Sequence, residues 1–110
     1  MYRNKYGSYK VVNELGKFDS KREYQRYLQL LHLQEEGFIS DLKRQVPFIL
    51  LPKQTDANKK SLRELKYIAD FTYKEGSKEV VEDCKGYRTS EYKIKKKLML
   101  WMHGITIRET

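Results

Sequence analysis

Residues 65–85 read LKYIADFTYKEGSKEVVEDCK. Two runs, Leu65 to Tyr73 and Glu79 to Lys85, flank a short turn at Glu75, Gly76 and Ser77, the pattern of an antiparallel β-hairpin. Upstream, the run from Leu42 to Leu51 closes in Val46, Pro47, Phe48, Ile49, Leu50 and Leu51. It is too short for a free-standing helix and is bounded by Pro52, so it reads as a third strand, which Pro47 places at a sheet edge or a bulge. Between it and the hairpin, Lys53 to Ser61 is polar and patternless and reads as a mobile loop. Ser20 followed by Glu23 is a capping-box pattern, Tyr24, Tyr27, Leu28 and Leu31 recur at helical spacing, and Gly37 is a natural stop, which predicts a helix over about residues 20–36. Downstream, Ser90 is placed to cap a second helix with Ile94, Leu98, Trp101 and Met102 on one apolar stripe and Gly104 at its end. Ile105, Thr106 and Ile107 read as a last strand. Met1 to Lys17 has neither helical nor strand period and reads as a basic N-terminal arm.

The predicted order is therefore αβββαβ, an α/β fold of the α+β kind with a central mixed sheet flanked by helices. Its 110 residues and 13.3 kDa suit one domain over residues 1–110. Mean hydropathy of −0.82 and the absence of a long apolar run exclude a membrane helix, and the basic N-terminus is not a secretory signal. Cys84 is the single cysteine, so an internal disulfide and a cysteine zinc site are excluded, and a reducing, cytoplasmic setting is expected. With 23 Lys and Arg against 15 Asp and Glu, the formal charge of +8 points to a polyanionic partner. Nine Tyr, one Trp and four Phe argue against disorder. No phosphate-cradling glycine loop or nucleophile elbow occurs, and His32 and His103 lack metal-ligand spacing.

The residues that could carry chemistry lie in the hairpin. Asp83 and Lys85 are two apart in a strand and share a face, so the carboxylate could hold a divalent cation while the ammonium meets a phosphate or a water. Spacing alone is weak support. A chain with 15 acids and 16 lysines is expected to hold about two acid-x-Lys triplets by chance, and this one holds five, at Asp19, Asp41, Glu64, Asp83 and Glu91. A surface ion pair is the ordinary alternative. Asp70, mid-strand between Ala69 and Phe71, is the residue least explained by folding, because a buried carboxylate needs a metal, a basic partner or water. In the hairpin Asp70 and Asp83 fall roughly opposite or diagonal, and two carboxylates that close repel unless a cation lies between them. Oxygen ligands of this kind favour Mg²⁺ or Mn²⁺ over zinc. Glu23 has an ordinary role as the partner of Ser20, and Glu82 points to the face opposite Asp83. Lys93, Lys95, Lys96 and Lys97 are either a solvated helix face or, with Lys85 and Arg88 just before them, a track for phosphates. Trp101 at helical spacing reads as core.

An acid in the second strand and acid-x-Lys in the third, within this element order, resemble the PD-(D/E)XK nuclease superfamily, which includes restriction enzymes and archaeal-type Holliday junction resolvases. More specifically, the chain looks like a small phage-encoded family of formerly unknown function. The matching words are Asn4, Lys5, Tyr6, Gly7; Phe18, Asp19, Ser20, Lys21, then Glu23; Gln45; Tyr67, Asp70, Phe71; Glu82, Asp83, Cys84, Lys85, Gly86; and Thr89, Tyr92, Lys95, Lys97. The resemblance implies that Glu23, Asp70 and Asp83 bind the metal, with the backbone carbonyl of Cys84 as a further ligand, and that Lys85 is the catalytic lysine. Ala69 stands where the superfamily's proline would be. It further implies supporting DNA contacts from Gln45, Lys95 and Lys97, and Lys5 and Tyr6 of the arm with Arg88 and Lys93 of the basic run are the other expected DNA contacts. The activity implied is a Mg²⁺-dependent endodeoxyribonuclease, with Mn²⁺ as substitute, leaving 5′-phosphate ends. Its expected substrate is branched DNA, cut by a homodimer in the host-cell cytoplasm. A basic DNA-binding accessory protein that does not cut is the alternative, and a structural or assembly protein a weaker third.

Overall fold

In the computed structural model, residues 16–110 and the backbone of residues 2–3 and 9–13 are described, and the hairpin at 65–85 forms the centre of a four-stranded sheet. The elements in chain order are β1 (Tyr2–Arg3), β2 (Tyr9–Asn13), β3 (Gly16–Phe18), α1 (Lys21–Glu35), β4 (Ser40–Leu51), β5 (Gln54–Thr55), β6 (Ser61–Leu62), β7 (Leu65–Glu75), β8 (Lys78–Asp83), α2 (Ser90–His103) and β9 (Arg108–Glu109). The sheet runs β4-β7-β8-β9, with the first two pairings antiparallel and β8-β9 parallel. The elements α1, β4, β7, β8, α2 and β9 thus give the expected αβββαβ core. β4 is the edge strand, where the missing N–H of Pro47 is tolerated.

Several expectations are corrected. The N-terminal arm is not without strand structure: β1, β2 and β3 form an antiparallel three-stranded sheet, while Lys5 and Tyr6 lie outside the described residues. Strands of two to five residues are too short to show a period. This sheet is fastened to the core through Arg44, whose Nη2 donates to the Lys17 carbonyl at 2.6 Å and whose guanidinium lies 3.7 Å from the Phe18 ring centroid. A Cβ on Gly16 (φ +121°) would come within 2.9 Å of Arg44 Nη1, so glycine permits that approach. The segment 53–61 is a small hairpin in place of a patternless loop. β5 pairs with β6 across a turn in which Asp56 Oδ1 accepts from the N–H groups of Asn58 and Lys60. The cap of α2 is Thr89, one residue before Ser90, and its Oγ1 accepts from the Tyr92 N–H. The final ladder is β9 at 108–109, with Ile107 buried in the core just before it.

The stripe on α2 is the largest correction. Leu98 packs on the core as expected, but Ile94, Trp101 and Met102 are exposed and the buried residues of the helix are Tyr92 and Met99. Two faces of this helix compete, and the winning one contains Lys95 and Lys96, both half-buried, with their ammonium groups paired with Glu91 and Glu109.

The helices cover opposite faces of the sheet. Leu50, Tyr67, Ala69 and Val81 pack with Tyr92 and Met99 of α2, while Phe71, Tyr73, Val80 and Cys84 pack with Leu30 of α1 and Ile39. This division contains an irregularity. Tyr67, Ala69, Phe71 and Tyr73 are all odd-numbered and would share one face of a regular strand, yet they fall into different cores. β4 does the same: Leu42 packs on the α1 side, Phe48 and Leu50 on the α2 side. Both strands exchange faces at the same level. There the ladder pairs Arg44 with Phe71 and Val46 with Ala69, and Gln45, between them, has φ +52°. Asp70 is its neighbour across the gap.

Candidate functional site

Glu23 stands in the first turn of α1, where Ser20 Oγ accepts its backbone N–H at 3.1 Å. Its carboxylate turns into the interior, where Oε1 accepts from Gln45 Nε2 at 3.0 Å. Arg44 Nη2 is 3.6 Å from the same oxygen, and Oε2 is buried without a hydrogen-bond partner. The Gln45 nitrogen also lies 3.5 Å from Asp70 Oδ1, so a single amide ties Glu23 to Asp70. The left-handed backbone of Gln45 accompanies this placement, and only a strand that breaks its alternation there brings it about.

Asp70, at the exchange of faces, is buried but fully engaged. Its Oδ2 accepts the Cys84 backbone N–H at 2.8 Å, and Lys85 Nζ lies 3.0 Å from each of its two oxygens. The β7-β8 register that pairs Phe71 with Glu82 brings Asp70 and Asp83 opposite each other. Asp83 Oδ2 accepts from the Tyr67 hydroxyl at 2.8 Å, while Oδ1 is buried without a hydrogen bond, 3.9 Å from Arg88 Nη2.

The electrostatics follow from this crowding. Burial, reinforced by the charge of Asp70, pushes the Glu23 carboxyl up to about 7. Asp83 is raised for the same two reasons in the same order. Burial works against the Lys85 ammonium, but the charges of Asp70, Asp83 and Glu23 outweigh it and hold the lysine above its ordinary value. Tyr67 is raised by burial and then by Asp83, so it remains a donor. Two buried carboxylate oxygens, Glu23 Oε2 and Asp83 Oδ1, lack hydrogen-bond partners, and oxygen donors of this kind suit a hard cation, while Arg44, Lys85 and Arg88 already stand beside the three carboxylates. The set is not ready-made. Among the described residues no three His, Cys, Asp or Glu side chains stand close enough to hold a metal as they are, and the Lys85 ammonium sits on Asp70.

The other sequence candidates divide. Gln45 lies within the carboxylate cluster. Arg88 donates to the backbone carbonyls of Asp83 and Lys85, both at 3.0 Å, and pairs with Glu109 at 3.1 Å, so it fastens the loop after β8. Lys95 pairs with Glu91 one helical turn away. Lys93 and Lys97 line a groove of about 480 Å³ between α2 and residues 105–107. A second open groove, of about 700 Å³, lies along β8 and residues 104–108 and touches none of Glu23, Asp70, Asp83 and Lys85. The carboxylate cluster itself is filled by Gln45 and Lys85.

A family profile described as "Protein of unknown function (DUF1064)" matches residues 3–105. The chain belongs to this family. Neither the curated proteins nor the solved structures give a match. The matched span contains every described residue of the DUF1064 carboxylate cluster, together with two side chains whose roles the sequence reading missed. Tyr67 holds Asp83, and Arg44 joins β3 to the Glu23 end of the cluster. Tyr67 could have been found, since a buried tyrosine needs a partner for its hydroxyl. For Arg44 no signal in the sequence points inward.

Proposed function

We propose that this protein is a metal-dependent endodeoxyribonuclease of the PD-(D/E)XK type. The observation that carries the reading is the convergence of Glu23, Asp70, Asp83 and Lys85, from α1, β7 and the end of β8, on one buried spot with two carboxylate oxygens lacking partners. Glu23, Asp70 and Asp83, with the Cys84 carbonyl, would hold Mg²⁺ or Mn²⁺. Such a cation supplies Lewis-acid chemistry, neutralising charge on the phosphate and making water a nucleophile at neutral pH. Tyr67 fixes one oxygen of Asp83, and the other is buried without a hydrogen bond, 3.9 Å from Arg88 Nη2. Gln45 fixes one oxygen of Glu23 in the same way. Lys85, 38% exposed along its side chain, is the member of the set that reaches solvent. Its ammonium would orient the attacking water or stabilise the negative charge on the phosphoryl oxygens.

The formal charge of +8 supports a polyanionic substrate. The resemblance to resolvases supports branched DNA arising in phage replication, recombination or packaging, and symmetric cutting of a four-way junction takes two such sites, hence a homodimer. The test is incubation with synthetic four-way junctions, flaps and plain duplex in Mg²⁺ or EDTA. Expected is Mg²⁺-dependent nicking, lost in Asp83→Ala and Lys85→Ala. Tight binding with no cutting under any metal would make the protein a DNA-binding accessory instead. Full cleavage by Asp70→Asn would overturn the metal assignment even where the enzyme class held.

A further inference from the structure

The outward face of α2 has an apolar line that none of the described residues covers. Ile94 and Trp101, seven residues apart and so nearly in line along the helix, are 59% and 81% exposed, and Tyr87, just ahead of the helix, is 76% exposed. The β1-β2-β3 sheet packs on α1, across the sheet from this face. An indole left in water on a helix whose other face is well packed has no role in folding.

The charges beside this line are unevenly committed. Lys95 pairs with Glu91 and Lys96 with Glu109, whereas Lys93 and Lys97 have no ion-pair partner among the described residues. These two sit one turn apart next to the Ile94–Trp101 line and form the rim of the groove on their other side. We infer that this face of α2 binds unpaired nucleotides of a DNA strand, with bases stacking on Trp101 and Tyr87 and phosphates meeting Lys93 and Lys97. Exposed aromatic rings interleaved with cations are how proteins hold single strands without reading sequence, because every base has a face to stack and every nucleotide a charge to neutralise. The charge pattern disfavours a second copy of the chain as occupant. Pairing this face with itself about a twofold axis would gather the Lys93 and Lys97 ammonium groups of both copies into one interface. The face begins two residues after Lys85, and from Ser90 to Trp101 the helix rises roughly 16 Å, so a strand leaving the cleavage site has this path along the surface.

This inference rests on the nuclease reading, and its test separates the two. Trp101 is the only tryptophan, so its fluorescence reports this face in the unmodified protein. Titration with a short oligothymidylate should quench Trp101, and duplex of equal length should not. Trp101→Ala should weaken single-strand binding about 5- to 150-fold, measured by anisotropy of labelled DNA. Lys93→Ala with Lys97→Ala should lower the salt dependence of that binding. Both sets of changes are on the surface, and circular dichroism checks that the fold is kept. Binding of junction DNA with Trp101 fluorescence unmoved by any single strand overturns this inference and leaves the nuclease reading standing. Failure to bind DNA of any form overturns both. Conversion of a dimer to a monomer by Trp101→Ala, seen by sedimentation, would show that the face joins two copies and would also overturn it.

Discussion

Glu23 gives the sharpest test because the structure makes its charge expensive. Its carboxyl is lifted from 4.5 to about 7 by burial and then by Asp70, while in the unfolded chain it returns to the ordinary value. The folded protein therefore holds the proton more tightly than the unfolded one. The resulting stability is complete below about pH 4.5 and is lost as the pH rises through 7. The gap between the two values corresponds to at most about 3 kcal/mol once Glu23 is ionised. Glu23→Gln has the shape of the protonated acid, keeps an oxygen to accept from Gln45 and cannot ionise.

At pH 5 the variant should exceed the parent in stability by no more than about 1 kcal/mol. At pH 8.5 in EDTA the variant should be more stable, by up to about 3 kcal/mol, which for a domain of this size is a rise of about 10 °C or more in the unfolding midpoint. Adding Mg²⁺ at pH 8.5 should then stabilise the parent by about 2.7 kcal/mol when the ion is at 100 times its Kd. The variant should gain much less. Urea or thermal unfolding followed by circular dichroism is the suitable assay, since Trp101 is already exposed in the folded state and its fluorescence changes little on unfolding. A stability gap that is the same at pH 5 and pH 8.5 would refute the reasoning about Glu23. A pH-dependent gap that Mg²⁺ leaves untouched would keep the electrostatics and remove Glu23 from the metal site.

Two further substitutions separate architecture from chemistry. Glu82 is fully buried and is held by Arg26 through two bonds of 2.8 and 2.9 Å, by the Tyr73 hydroxyl at 2.6 Å and by Thr110 at 3.1 Å. Arg26→Met should therefore cost about 3–5 kcal/mol in chemical unfolding, with cleavage per folded molecule unchanged; a loss below 1 kcal/mol would mean that the hydroxyls alone support the charge. At Gln45, both Gly and Ala remove the amide that joins Glu23 to Asp70, but only Gly suits φ +52°. Gln45→Gly should be more stable than Gln45→Ala by about 1 kcal/mol, with equal losses of cleavage, and equal stabilities would show that the backbone is free to leave the left-handed region.

The parts of this fold that were legible in the sequence are those where one local pattern has one physical solution. A turn at Gly76 between two strand-like runs has little choice but to be a hairpin, and Asp70 stood out because a carboxylate among apolar neighbours is costly anywhere. The illegible parts are those where two solutions bury similar apolar area. Leu65, Tyr67, Ala69, Phe71 and Tyr73 alternate as if along one buried face, and nothing in that list tells that the face changes at Asp70. The change depends on Gln45 across the sheet adopting a conformation that is rare for glutamine. On α2, apolar counting favours Ile94, Leu98, Trp101 and Met102, yet of these Leu98 alone packs on the core, beside the buried Tyr92 and Met99. Both misreadings fall where the chain departs from its cheapest local arrangement, and such departures are expected where something other than stability has shaped the residues. At Gln45 the departure brings Glu23 and Asp70 within reach of one amide. On α2 it turns an indole and two lysines without an ion-pair partner among the described residues to the same side of a helix that could have buried the indole instead.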